Sequence, residues 1–109
     1  MANRALYQVL YVDDNPADPV LLQKAFEMAG LSAQVHAVES ATQAFEYLEG
    51  FRPDLIVMDL RLPMIDGFQA LQTIKSRDSW KTIPVVVYST SRLEADKTRA
   101  LEIGAAAFF

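Results

Sequence analysis

Three places along the chain hold residues able to do chemistry on a charged oxygen ligand. They are the acidic pair Asp13-Asp14 that closes "VLYVDD", Asp59 that closes "LIVMD", and Ser89-Thr90-Ser91, which follows "VVVY". Each stands where an apolar run ends. Adjacent carboxylates about 4 Å apart repel by roughly 1 kcal/mol in water and about 4 kcal/mol in a half-buried setting, so a pair at the end of a buried run calls for a compensating charge. Carboxylate oxygens in threes, without His or Cys, suit a small hard cation such as Mg²⁺, held at about 2.0–2.1 Å with several waters retained. With such an ion in place, one carboxylate is able to act as nucleophile toward a phosphoryl group, because the ion screens the incoming negative charge.

These residues need elements that bring them together. Tyr7–Val12 reads as a buried strand. A helix follows over "DPVLLQKAFEMAG", with Asp18 as N-cap, Pro19 at the first helical position, Leu22, Ala25, Phe26 and Ala29 on one face, and Gly30 as the stop. "AQVHAV" is a second strand. The next helix opens on Ser40 and Gln43 in capping-box spacing, buries Ala41, Ala44, Phe45 and Leu48, and ends at Gly50. "DLIVMD" is a third strand, apolar on both faces as a central parallel strand must be. Beyond Pro63 and the turn Asp66-Gly67, the residues Phe68, Leu71 and Ile74 mark a third helix, and "IPVVVYS" is a fourth strand. Leu93–Ile103 forms a weakly amphipathic fourth helix closed by Gly104, and "AAAFF" starts a fifth strand. Strict alternation with short connections means right-handed crossovers and a doubly wound parallel α/β sheet with helices on both faces. Ligands of such sheets lie beyond the carboxyl ends of the strands. In a flavodoxin-like strand order the first, third and fourth strands are neighbours, and the three acids and the hydroxyls converge on one crevice.

Composition narrows the function classes. At 109 residues the chain accommodates one domain with a single core, and its 51% hydrophobic and 22% charged residues are globular in balance. No segment approaches the ~18–20 continuous apolar residues of a membrane span, and the N-terminus lacks the features of a signal peptide. There is no cysteine, which rules out disulfides and thiolate metal sites and makes a cytoplasmic location the default. A net charge of −4 without a basic stripe argues against nucleic-acid binding.

"LYVDDNP", "LIVMDLRLPMIDG" and "IPVVVYSTS", in this order and spacing, resemble the receiver domain of two-component response regulators over essentially the whole chain. The resemblance implies a flavodoxin-like sheet of order 2-1-3-4-5 and a phosphorylation-dependent signalling switch. It implies that Asp59 accepts a phosphoryl group from a histidine of a sensor kinase. It also implies that Asp14 ligates Mg²⁺ directly, that Asp13 acts through water, and that the Arg61 backbone carbonyl supplies a further ligand. Ser89 matches the hydroxyl residue that hydrogen-bonds the phosphoryl oxygen and moves inward on activation, and Phe108 matches the aromatic switch residue. "DNPAD" and "IKSRDSWKTIPVVVYSTS" are similar to the compact stand-alone receivers, including those paired with bacterial phytochromes.

The family's lysine at the end of the fifth strand would fall two positions beyond Phe109, and the fifth helix would follow it. The expectation is therefore an incomplete receiver domain over 1–109, truncated within or just after the fifth strand and lacking its final helix. Such a chain should bind Mg²⁺, accept phosphate poorly, and tend toward self-association as a homodimer. Arg61, Arg92 and Lys97 lie near the crevice, with nothing in the sequence to show that any replaces that lysine. Other readings stand beside this one. The acid pair alone suits a solvated strand end, and Thr90 or Ser91 suits a helix cap. The chain as a whole could be a phosphorylation-independent interaction module. An aspartyl-nucleophile phosphohydrolase needs an acid two residues after the nucleophile, where this chain has Arg61. His36, mid-strand without a partner motif, reads as a structural or surface residue, and Trp80 falls at the end of the sheet opposite the crevice.

Overall fold

The computed structural model describes residues 6–14, 19–62, 64–88 and 94–108. Strands and helices alternate as β1 (Tyr7–Val12), α1 (Pro19–Met28), β2 (Ala33–Val38), α2 (Ala41–Gly50), β3 (Leu55–Asp59), α3 (Gly67–Ser76), β4 (Val85–Tyr88), α4 (Glu94–Ile103) and β5 (Ala107–Phe108). All strand pairs are parallel and the order is β2-β1-β3-β4-β5, the flavodoxin-like arrangement expected above.

The apolar runs of β1, β3 and β4 follow from burial on both faces. One face carries Leu10, Val12, Ile56, Met58, Val85 and Val87, none more than 0% exposed, beneath Ala44 and Leu48 of α2, Leu71 and Ile74 of α3, and Ala100 of α4. The other face carries Val9, Tyr11 and Val57, packed by Leu22 and Phe26 of α1. Ala25 and Ala29, expected in the same buried stripe, are exposed. Within the described part of α1 the i, i+4 pair Leu22 and Phe26 carries the contact instead.

Local signals set the helix ends. Gly30 takes φ +84°, its N–H donates to Glu27 O, and Leu31 N–H donates to Phe26 O, a Schellman stop for α1. The proposed cap Asp18 lies outside the described residues. Ser40 accepts from Gln43 N–H at 3.1 Å, but the Gln43 side chain returns to Glu39 N–H at 2.7 Å, one residue earlier than a capping box requires. Both arms of a box do form at α3, where Asp66 and Gln69 each accept the other's backbone N–H, at 2.9 and 3.2 Å. Asp66-Gly67 is thus a helix start as well as a turn. Trp80 is buried ahead of β4, with the Phe45 ring 5.8 Å away and the Arg77 guanidinium 3.9 Å above it. His36 is exposed and stacks on Tyr47 at 4.6 Å, in keeping with a surface role.

Candidate metal and phosphoacceptor site

β1 and β3 are adjacent and parallel, with Tyr11 opposite Val57 and Val12 opposite Met58, so the residues that end them emerge side by side. Oxygen atoms of Asp13, Asp14 and Asp59 all lie within 4.8 Å of one another. The three differ in setting: Asp13 is buried at 7% exposure, Asp14 is exposed, and Asp59 is intermediate. The sequence-predicted convergence of the three acids is therefore present. Ser89, with Thr90, Ser91 and Arg92, lies outside the described residues. Phe108 of β5 pairs with Val87 of β4 and packs, half-buried, against the core cluster that α2, α3 and α4 cover. Arg61 is exposed, and its backbone N–H donates to Asp59 Oδ1 at 3.2 Å. Lys97 is exposed on α4.

The electrostatics follow from crowding. Burial raises the Asp59 carboxyl above the usual aspartate range, the Arg61 N–H pulls it back, and the charges of Asp13 and Asp14 raise it again. Such a carboxylate gains from a divalent ion, which relieves both the desolvation and the repulsion. The donor set, all hard oxygen from carboxylates, fits a cation of the Mg²⁺ or Mn²⁺ type.

Two kinds of residue around the acids were not singled out in the sequence. Gly67 N–H donates to Leu60 O at 2.9 Å, and a methyl group at Gly67 would stand 2.5 Å from Leu60 Cα and 2.6 Å from Asp59 O. Only glycine lets α3 start that close to the end of β3. The signal was the "DG" pair, read only as a turn. Tyr11 and Tyr88 form the second group. The Tyr11 hydroxyl lies 3.2 Å from Asp13 Oδ2, the Tyr88 hydroxyl donates to that same oxygen, and the two hydroxyls are 3.0 Å apart. The i, i+2 spacing of Tyr11 and Asp13 in a strand puts them on one face and was a usable signal. The contribution of Tyr88 needed the strand order. Burial, and then the bond to Asp13, holds the Tyr88 hydroxyl far above the ordinary tyrosine range. Burial likewise raises Tyr11, against an opposing bond to Tyr88. Both phenols stay protonated.

A five-stranded parallel sheet of this order with an acidic trio at its carboxyl edge is the arrangement that the receiver resemblance implied. The response regulator receiver domain family matches residues 9–109, and the chain belongs to that family. It is 37% identical over 98 residues to the "Probable methanogenesis regulatory protein FilR2" of Methanothrix harundinacea, a match covering 84% of this chain and 63% of that protein. In two other curated relatives it spans only 43% and 13% of the length. Among solved structures, the phosphorylated cyanobacterial phytochrome response regulator RcpA is 36% identical, with TM-score 0.85 over 96% of this chain and 80% of that one. The Mn²⁺-bound form of response regulator Rcp1 is 31% identical, with TM-score 0.82 over 94% of this chain and 79% of that one. The chain is a receiver domain of two-component response regulators whose acidic cluster suits a divalent metal. Among the described residues, no helix is long and apolar enough to cross a membrane.

Proposed function

We propose that this receiver accepts a phosphoryl group on Asp59 with the assistance of Mg²⁺. The observation that carries the reading is the approach of three carboxylates within 4.8 Å at the carboxyl ends of β1 and β3. In this reading Asp14, the exposed acid, ligates the ion directly. Asp59 is a second direct ligand, the buried Asp13 acts through a water, and the Arg61 carbonyl completes the protein's share. The ion, when bound, neutralises charge on the incoming phosphoryl oxygens. The Asp59 carboxylate supplies the attacking oxygen, and the Arg61 N–H on Oδ1 fixes its orientation. One bond forms from Asp59 oxygen to phosphorus as the bond from phosphorus to the donor breaks, the donor leaving with the electron pair. In this reading the Ser89 hydroxyl donates a hydrogen bond to a phosphoryl oxygen of the transferred group, and Phe108 is the switch aromatic whose packing responds. Chemistry beyond the domain's own phosphorylation and its reversal is not proposed, in line with Arg61 standing where a phosphohydrolase needs an acid.

The similarity to RcpA, a phytochrome response regulator, supports a cytoplasmic sensor histidine kinase of the bacteriophytochrome kind as the donor. Prolonged incubation with acetyl phosphate and Mg²⁺, followed by intact-mass analysis, tests the central step. A single phosphoryl adduct is expected that requires Mg²⁺ and is absent from Asp59→Asn. An adduct that persists in that variant, or none in the parent chain, overturns the assignment.

A further inference from the structure

We infer that Tyr11 and Tyr88 are positioning residues for Asp13, setting the metal affinity of the acidic cluster through their hydroxyls. The inference rests on the reading of Asp13, Asp14 and Asp59 as a divalent metal site.

The two side chains come from different strands. Tyr11 lies on β1, two residues before Asp13, and Tyr88 ends β4 opposite Asp59 in the strand register. Their hydroxyls meet above β3, at Oδ2 of Asp13. Both hydroxyls stand in donating position to the same carboxylate oxygen, and the Tyr88 hydroxyl is also within donating distance of the Tyr11 oxygen, at 3.0 Å.

Packing alone does not account for these hydroxyls. With Leu22, Phe26, Val57 and Val86, the two rings wall an apolar cavity of about 440 Å³, where phenylalanine would serve as well. A hydroxyl buried beside apolar surface is unfavourable unless it is bonded. Among the described residues, the hydrogen bonds of these two hydroxyls go to Asp13 and to each other.

The chemistry of the donors is also informative. Asp13 is buried next to two further carboxylates. Neutral phenols stabilise the carboxylate by hydrogen bonding without adding positive charge of their own. They also fix the carboxylate by one oxygen, so that it cannot rotate freely. Donors of this outer-shell kind are commonly worth tenfold or more in metal affinity.

The test is a titration with MnCl2, counting free Mn²⁺ by electron paramagnetic resonance, on the parent chain and on Y88F, Y11F, D13N and D13N/Y88F. Y88F is expected to bind Mn²⁺ about tenfold more weakly and Y11F about threefold. In the D13N background, adding Y88F is expected to change the affinity by less than about twofold, because the phenol acts through the Asp13 carboxylate. A merely structural tyrosine would lower the metal-free melting temperature and leave the affinity alone. Affinity unchanged in both Y88F and Y11F overturns the inference while leaving the metal site standing. So does a loss from Y88F that is equally large with and without the Asp13 carboxylate. No Mn²⁺ binding by the parent chain overturns the metal reading and this inference together. If Y88F does not fold, Y11F decides the matter on its own.

Discussion

Asp59 carries an electrostatic penalty that a pH experiment exposes. Its carboxyl is raised in the fold, first by burial and then by neighbouring charge, so between about pH 4 and that raised value the native chain holds a proton that the unfolded chain has lost. Stability contributed by this group is therefore complete at low pH and declines as pH climbs through that window. Two charges at the 4.8 Å limit within which these oxygens lie repel by roughly 3 kcal/mol at an effective dielectric of about 20 and by less than about 1 kcal/mol in water. Asp59 is only partly buried, so the value expected lies toward the lower end. Metal-free Asp59→Asn should be about 1 kcal/mol more stable than the parent at pH 7, the advantage vanishing near pH 4 and shrinking when Mg²⁺ is added. Urea denaturation of both chains at the two pH values checks this. An equal advantage at both would remove the electrostatic account.

Among the elements, the start of α3 is the one most tightly tied to the site. A methyl group at Gly67 would meet backbone atoms of Asp59 and Leu60 at 2.5–2.9 Å, a collision that no side-chain rotation relieves. Gly67→Ala is expected to lose about 2 kcal/mol or more of stability by denaturant unfolding and to weaken Mg²⁺ binding, since relief requires the end of β3 to shift. A surface glycine such as Gly50, with nothing near its would-be methyl group, makes the control. Much at this scale was legible beforehand. Apolar runs ending in Asp13 and Asp59 gave two strands and their carboxyl-end acids, and Gly30 gave the stop of α1. What escaped was which of several reachable partners a side chain takes. Gln43 turned to Glu39 instead of Ser40, Asp66 found its reciprocal cap in Gln69, and Tyr88 met Asp13 across 75 positions. A one-dimensional pattern shows which face a residue takes but not which neighbour waits there.

Taken whole, the molecule has two unequal faces. Among the described residues, many side chains beneath α2, α3 and α4 have no exposure, whereas the α1 side is contacted by half-buried Leu22 and Phe26. The alternation of strands and helices predicted both layers, but helical periodicity could not show how closely each would approach, and so Ala25 and Ala29 were misplaced. The same chemical change should then differ in effect by face. Leu71→Ala, at 0% exposure, is expected to cost about 2–5 kcal/mol, and Leu22→Ala under about 1.5 kcal/mol, by paired urea titrations. Similar losses at both would show that the faces are equally tight. The acids sit on the boundary between these halves, joined to the dense one by the backbone at Gly67 and to the loose one by two phenol hydroxyls. In mechanical terms the Gly67 contact leaves no slack. A push on the Asp59–Leu60 peptide is delivered to the first turn of α3 at full stroke, while the tyrosine side, resting on hydrogen bonds and an open cavity, is where the molecule has room to yield.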